Sequence, residues 1–143
     1  QRLMITEALK GEKISRFMNS SPVTVPPETS VEELVQDYMY RHHYKMFPVV
    51  RDGELLGCVT SKEVTEVPRE DWGRRTVSQL SEGCDDDRQV APDTDAVEVL
   101  SKMNDSENSR LMVVDRGRLV GVVSLKDMMK FLSIKMDLEG LQA

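Results

Sequence analysis

The 143-residue chain has few aromatic residues and few histidines, and these shortages exclude several kinds of site. Aromatic residues make up 5% of the chain, and its two histidines, His42 and His43, are adjacent. Adjacent histidines point about 100° apart on a helix, and no third histidine or cysteine stands at ligand spacing. We therefore expect neither a metal site nor a histidine-based nucleophile set. A phosphate loop of the Gly-Lys-Ser type is also missing from the sequence.

Long apolar runs and an excess of basic charge are missing as well. No run approaches the roughly 18 apolar residues that span a bilayer, and the sequence carries no signal peptide. Nineteen Lys and Arg residues against 25 Asp and Glu residues give a net charge of −6, which argues against nucleic acid as the main partner. An apolar content of 39% predicts a soluble globular fold. Because the chain begins at Gln1, we expect it to be part of a longer protein.

The residues around the two cysteines indicate whether a disulfide is expected. Cys58 lies in an apolar run and Cys84 in a polar loop, 26 positions later. Two cysteines placed in this way do not suggest a disulfide framework, so we expect both thiols to be free in a reducing compartment.

The main positive feature of the chain is an internal repeat. VTVPPETSVEEL at residues 23–34 parallels RQVAPDTDAVEVL at residues 88–100, and residues 47–64 parallel residues 111–128. Each unit predicts the order β-α-β-β-α, with a two-residue turn, DG or RG, between the paired strands. About 50 residues would be marginally stable alone, so we expect an α/β (α+β) fold in which the two units pack face to face around one core.

The expected organisation follows from the repeat. The predicted segments are an N-terminal linker or helix (1–12), the first repeat (13–68), an inter-repeat linker (69–76), the second repeat (77–139) and a tail (140–143). In the linker, we expect Trp72 to cover an exposed edge of the core, with contact to a partner as the alternative.

The closing stretch of each unit, GCVTSKE or GVVSLKD, permits two interpretations. As structure, Thr60 with Glu63 matches a helix capping box, and Ser124 with Asp127 is a looser version of it. As a binding site, the free N–H groups at the start of a helix suit a phosphate, and a carboxylate one turn later could accept hydrogen bonds from both hydroxyls of a ribose. Both interpretations remain open at this point.

A basic residue could complete each phosphate site. Arg110 enters the apolar run of the second unit, and Lys45 precedes that of the first, although either could simply be a solvated charge. The shorter, less mobile Asp127 suits a ribose better than Glu63 does. We therefore expect the better site in the second repeat.

These residues identify a resemblance. The doubled pattern PVV…DG…L.G.VT..E and MVVD.GRLVGVVSLKD resembles a tandem pair of CBS domains, a Bateman module, from about Lys13 to about Lys135. The resemblance implies two β-α-β-β-α repeats related by a pseudo-two-fold axis. It also implies a non-catalytic module that binds AMP, ADP, ATP or S-adenosylmethionine between the repeats, regulates an attached protein and often pairs into discs.

The resemblance also implies roles for individual residues. In the second repeat it places ribose on Asp127, phosphate on Ser124 and Arg110, and adenine beside the backbone of the strand at Gln89, Val90 and Ala91. In the first repeat it places phosphate on Thr60 and adenine beside Thr24 and Val25. Glu63 departs from the usual Asp, which predicts one good site and one weak or empty site.

A narrower resemblance concerns the ends of the repeats. Residues 1–18 and 67–80 are similar to the exit segment and linker of site-2-protease-type membrane zinc metalloproteases that carry a C-terminal CBS pair. This implies a cytoplasmic regulatory tail at the inner face of a membrane, with zinc only in an upstream catalytic domain. The alternative is a structural dimerisation module without a nucleotide. In either case, an apolar stripe on the last helix, from Met128 to Met136, could pack on its own sheet or form a homodimer surface.

Overall fold

The computed structural model describes residues 2–81 and 84–140. Among these residues the chain divides into two compact units. The first-repeat unit comprises Val23–Cys84 and Gly117–Leu119. The second-repeat unit comprises Gln1–Pro22, Asp85–Arg116 and Val120–Ala143, as far as these are described.

The helices and strands follow the predicted alternation in both units. The described helices are α1 (Arg2–Leu9), α2 (Val31–Glu33), α3 (Tyr40–His42), α4 (Ser61–Thr65), α5 (Val77–Leu80), α6 (Ala96–Ser106) and α7 (Leu125–Glu139). The described strands are β1 (Met46–Arg51), β2 (Glu54–Thr60), β3 (Gln89–Val90), β4 (Arg110–Asp115) and β5 (Arg118–Ser124). The predicted mixed α and β fold is thereby confirmed.

The first helix of the first-repeat unit is capped by a serine and is not uniformly α-helical. The Ser30 hydroxyl accepts a hydrogen bond from the Glu33 backbone N–H at 3.1 Å, so Ser30 is the N-cap of α2. The stretch Leu34–Met39, between α2 and α3, is π-helical. Periodicity predicted one regular helix here, and it does not distinguish 3.6 residues per turn from the wider π turn over so short a stretch.

The core of the first-repeat unit includes a residue from the helix that follows this repeat in the sequence. Nine buried side chains form it: Val25, Val31, Leu34, Val35, Phe47, Val49, Val59, Val64 and Val77. Val77 belongs to α5, which follows this repeat in the sequence. Trp72 packs against the same cluster, and its indole N–H donates to the Val67 carbonyl at 3.0 Å. Trp72 therefore covers a core edge, as predicted.

Both hairpins close with the predicted two-residue turns. Asp52 and Gly53 have φ values of 52° and 83°, and Arg116 and Gly117 have values of 52° and 79°. A turn with two successive positive φ values matches the right-handed twist of the strands that it joins. The strands of the first hairpin pair antiparallel, with Phe47 opposite Val59.

The N-terminal segment is part of the core of the second-repeat unit. Ala8 and Leu9 of α1 are buried there, together with Ile14 and Phe17. The backbone fixes the segment in place, since the Ile14 N–H donates to the Thr94 carbonyl at 2.8 Å. The remaining buried members of this core are Val90, Ala96, Val99, Met103, Leu111, Val113, Val123, Met128 and Leu132.

Gly121 is required by this packing. Asn19 forms an antiparallel bridge with Val122. A Cβ atom at Gly121 would lie 2.7 Å from the Met18 sulfur and 2.9 Å from the Asn19 carbonyl oxygen. The backbone of the N-terminal segment therefore passes too close to β5 for a side chain at position 121.

We expect Gly121→Ala to lower the free energy of unfolding by about 1–3 kcal/mol, because the bridging backbone must move away from the added methyl group. The measurement is urea unfolding followed by circular dichroism. The matched control is Gly73→Ala, since nothing lies within 4 Å of a Cβ atom at that position. Equal stability losses in the two variants would contradict the close-approach explanation.

The cysteine prediction was wrong. Cys58 and Cys84 form a disulfide with their Cα atoms 5.4 Å apart, both within the first-repeat unit. Folding brings the chain after α5 back against β2, a proximity that a separation of 26 positions does not reveal. The expectation of a reducing compartment rested on free thiols and loses its basis.

Membrane-spanning potential can be assessed for the described helices. None of them combines the length and the apolar composition that crossing a bilayer requires.

Candidate functional site

Ser124 begins α7 at the end of β5. Its backbone is extended, with φ −118° and ψ 152°, and its hydroxyl accepts a hydrogen bond from the Asp127 backbone N–H at 3.1 Å. Ser124 is therefore the N-cap of a 15-residue helix, which confirms the structural interpretation for this residue. One lone pair of the hydroxyl oxygen is used in this cap, and the hydroxyl hydrogen is still available to donate to a ligand.

Asp127 is half-buried in the first turn of α7. No hydrogen bond to its carboxylate is found from the residues that the structure describes. The Ser124 cap is present, but Asp127 does not return a bond to Ser124, so the looser capping box that the sequence suggested is not completed. Two acceptor oxygens therefore remain at the start of the helix.

The corresponding carboxylate in the first repeat, that of Glu63, already accepts hydrogen bonds from the protein. Glu63 Oε1 accepts hydrogen bonds from the Thr60 backbone N–H at 2.7 Å and from the Thr60 hydroxyl at 3.0 Å. Together with the Thr60 cap, this completes the predicted capping box. The additional methylene of Glu63 allows its carboxylate to reach back to the N-cap residue. The polar groups of Thr60 and Glu63 thus hydrogen-bond to each other at the start of a helix of only five residues.

The two basic residues occupy different positions in their units. The Leu125 N–H donates to the Ser109 carbonyl at 2.8 Å, and the Ser61 N–H donates to the Lys45 carbonyl at 2.8 Å. These two bonds are equivalent at the repeat offset of 64, so Lys45 corresponds to Ser109. Arg110 is half-buried and starts β4, whereas Lys45 is exposed and precedes β1.

The predicted adenine-side strand of the second repeat lies beside β4. Gln89 and Val90 form β3, which runs parallel to β4 with Gln89 opposite Met112 and Val90 opposite Val113. Val90 is buried, whereas Ala91 is exposed. The structure therefore brings β3 next to the strand that begins at Arg110.

A contact that the sequence did not indicate holds β3 in place. The Lys102 ammonium of α6 donates to the Gln89 carbonyl at 2.7 Å. This contact uses one acceptor on the strand that was expected to line the adenine site. No spacing rule would have singled out Lys102 from the other lysines of the chain.

The first repeat has an equivalent extended piece. Val25 forms a parallel bridge with Val49, receives a hydrogen bond from the Val50 N–H at 3.0 Å and is fully buried. Thr24 beside it is half-buried. Each set of predicted site residues thus lies within one unit: Gln89, Val90, Ala91, Arg110, Ser124 and Asp127 in one, and Thr24, Val25, Lys45, Thr60 and Glu63 in the other.

One histidine makes an aromatic contact and the other lies at the end of a helix. His42 stacks on Tyr44 with ring centroids 6.3 Å apart, and His43 ends α3 with a φ of 62°. Within residues 2–81 and 84–140, no group of three or more His, Cys, Asp or Glu side chains is arranged to hold a metal ion.

Comparison with protein families identifies the repeats. The family model described as the CBS domain matches residues 14–70 and residues 87–134, which together make up more than half of the chain. The chain belongs to the CBS domain family. Its two matched segments confirm the tandem CBS pair predicted from the repeated motif.

Two curated relatives carry this region within longer proteins. A zinc metalloprotease of Methanocaldococcus jannaschii is 33% identical over 127 residues, which covers 87% of this chain and 33% of the relative. An inosine-5'-monophosphate dehydrogenase of Aquifex aeolicus is 27% identical over 130 residues, covering 87% of this chain and 25% of the relative. The chain thus spans a third or less of the length of these relatives.

The fold also matches a solved CBS structure. The CBS domain of a bacterial CNNM/CorC family Mg2+ transporter in complex with ATP aligns with a TM-score of 0.74 and 22% sequence identity. The alignment covers 92% of this chain and 94% of that one. At this level of identity, the match establishes the shared fold alone.

Proposed function

We propose that this CBS pair is a regulatory module that binds an adenine nucleotide of the AMP, ADP or ATP class at the second repeat and has no catalytic activity of its own. The observation that carries the proposal is the difference between the two carboxylates. Asp127 has no hydrogen-bond donor among the described residues, whereas Glu63 is bound by the Thr60 N–H and hydroxyl.

Asp127 would hold the ribose. A carboxylate can accept one hydrogen bond from each of two vicinal hydroxyls, and each charge-assisted bond contributes about 1.5–3 kcal/mol. The Ser124 cap fixes the backbone of Asp127 in the first turn of α7, so only its short side chain has to be ordered on binding. Ordering a short, already placed side chain costs little entropy.

Ser124 and Arg110 would hold the phosphate. The positive end of the α7 dipole favours an anion near Ser124, although the Leu125 and Asp127 N–H groups at this end already bind the Ser109 carbonyl and the Ser124 hydroxyl. The Leu125–Ser109 hydrogen bond places the start of β4, and with it Arg110, beside the start of this helix. A guanidinium is well suited to phosphate because its planar N–H groups can bind two oxygens at once.

The backbone of β3 would border the adenine ring. Gln89 and Val90 pair with β4, and the Lys102 ammonium donates to the Gln89 carbonyl. The exposed Ala91 follows directly and leaves backbone groups accessible beside the strand. We propose that the first repeat, with Thr24, Val25, Lys45, Thr60 and Glu63, forms the weak or empty counterpart.

The comparisons support the ligand class and suggest the attached protein. The CBS domain of the Mg2+ transporter was solved in complex with ATP, and the relative with 33% identity is a zinc metalloprotease. We propose that the present chain regulates a membrane zinc metalloprotease from its cytoplasmic side. A nucleotide that binds one conformation of the module better than another would shift the population that the attached domain experiences.

A structural dimerisation module without a ligand is the second candidate. The self-satisfied capping box at Thr60 and Glu63 favours it for the first repeat. Ile134 and Leu138 on α7 favour it as well, since they are 58% and 80% exposed and could be covered by a second copy. This candidate predicts a homodimer whose stability does not depend on nucleotide.

The test is a thermal-shift series on the wild-type chain with AMP, ADP, ATP and GMP, together with the 2',3'-dideoxy form of the best adenine nucleotide. At 100 times the dissociation constant, a ligand adds about 2.7 kcal/mol to stability, so the adenine nucleotide should raise the melting temperature clearly. Its dideoxy form should not, because Asp127 then has no hydroxyl partner. No shift with any nucleotide would favour the dimerisation module.

A further inference from the structure

The disulfide fixes the point at which the chain leaves the first-repeat unit. Cys58 lies in β2 and is 4% exposed, whereas Cys84 is half-buried and is the last residue of the main segment of this unit. Gln89, the first residue of β3, follows five positions after Cys84. The bridge is thus a covalent anchor just before the strand assigned to the adenine ring.

The segment between the anchor and β3 is short and has its own turn. Residues Asp86–Arg88 form a single 3-10 turn, and the Arg88 N–H donates to the Asp85 carbonyl at 2.9 Å. With the bridge closed, four residues separate Cys84 from Gln89. With the bridge open, the preceding helical residue is Leu80 at the end of α5, so eight residues of chain separate it from Gln89.

The strand that depends on this anchor is small. β3 has two residues, and its register with β4 consists of two pairs, Gln89 with Met112 and Val90 with Val113. Lys102 adds one further hydrogen bond. A two-residue strand gains little from its own ladder, so the placement of the chain that enters it contributes to its order.

We propose that the Cys58–Cys84 bridge is a reversible redox tether that orders the approach to β3 and thereby strengthens nucleotide binding in the oxidised state. The link to nucleotide affinity rests on the function proposed above, whereas the tether itself does not. The bridge involves the last residue of the main segment of the first-repeat unit, five positions before Gln89, the first residue of the proposed adenine-side strand. A disulfide between two core residues would have no such position along the chain.

The reaction is ordinary thiol–disulfide exchange. A thiolate of a small dithiol attacks the more accessible Cys84 sulfur, the S–S bond breaks, and Cys58 leaves as a thiolate that takes up a proton. The second thiol of the dithiol then displaces Cys84, which also takes up a proton. Two electrons pass from the dithiol to the bridge and the dithiol becomes a cyclic disulfide. A small-molecule disulfide, such as an oxidised tripeptide thiol, reverses the reaction.

The expected consequence is a difference in affinity between the two states. Ordering eight residues on binding costs more conformational entropy than ordering four, so pre-organisation by the bridge should tighten binding. We expect the oxidised chain to bind AMP roughly 3–10 times more tightly than the reduced chain.

The experiment compares the whole chain in two states, oxidised with glutathione disulfide and reduced with a phosphine. Peptide mapping by mass spectrometry verifies the bridge, and calorimetry with AMP gives both dissociation constants. Cys58→Ser/Cys84→Ser is the matched control, and it should bind AMP like the reduced chain under both treatments. The proposal is overturned if the bridge does not form under the oxidant, or if it forms and the two dissociation constants agree.

A second measurement separates the tether from the nucleotide assignment. Trypsin cleavage after Arg88 without nucleotide should be at least ~3 times slower in the oxidised chain, since protease access follows local opening. If neither state binds AMP but cleavage still depends on the bridge, the tether is supported and the nucleotide site fails. Equal cleavage rates in the two states would overturn the tether.

Discussion

Asp127→Ala is expected to abolish measurable binding of the adenine nucleotide, while Glu63→Ala leaves it nearly unchanged. Removing the carboxylate removes two charge-assisted hydrogen bonds to the ribose, which together contribute at least about 3 kcal/mol, or a factor of more than roughly 100 in the dissociation constant. Glu63 already accepts its hydrogen bonds from Thr60, so its loss should affect helix capping and not the ligand. Titration calorimetry of the two variants measures the difference.

The matched substitution at the same position is Asp127→Glu. A glutamate there should reach back to Ser124 in the way that Glu63 reaches Thr60, so it should preserve or improve the helix cap and still weaken nucleotide binding. Urea unfolding checks the first expectation and calorimetry the second. Wild-type affinity in Asp127→Ala would show that the carboxylate does not hold the ligand.

Opening the Cys58–Cys84 bridge is expected to give the largest change in stability. The bridge closes a loop of 26 residues, and the chain-entropy estimate for a loop of this length is about 3–4 kcal/mol. Cys58→Ser/Cys84→Ser should therefore have a free energy of unfolding lower than that of the oxidised wild type by about this amount. The measurement is urea unfolding of the two proteins without reductant.

Reduction of the wild type provides the control. A phosphine reductant should lower the stability of the wild type to that of the double variant, and it should have no effect on the variant itself. If the oxidised wild type and the double variant differ by less than about 1 kcal/mol, the bridge does not constrain the unfolded chain as this loop length implies.

The repeated strands, hairpins and caps could be predicted because they depend on local patterns. Gly53 and Gly117 indicate the turns through their backbone freedom, and Thr60 indicates a helix start through its spacing to Glu63. Such signals lie within a few residues and do not depend on what packs against them. The order β-α-β-β-α in each repeat follows directly from them.

The segment before each repeat packs against a core that could not be predicted in the same way. Ile14 and Phe17 are buried in the core of the second-repeat unit, and Val77 is buried in the core of the first. Their apolar character predicts burial, but it does not say which of two similar cores receives them. The cysteine prediction failed for a related reason, because the proximity of Cys58 and Cys84 arises from tertiary folding.

The candidate site was predictable in part. The additional methylene of Glu63 already distinguished it from Asp127, and the capping box shows the physical consequence of that difference. The sequence could also have shown that Lys45 and Arg110 are not equivalent, since Lys45 aligns with Ser109 at the repeat offset of 64. The contact of Lys102 with Gln89 has no sequence signal.

The most direct test is a crystal structure of this chain grown with AMP or ATP. We expect the ribose hydroxyls within hydrogen-bond distance of the Asp127 carboxylate, the phosphate beside Ser124 and Arg110, and Glu63 still bound to Thr60. A nucleotide whose ribose lies on Glu63, or a space beside Asp127 filled by protein side chains at saturating nucleotide, would contradict the account.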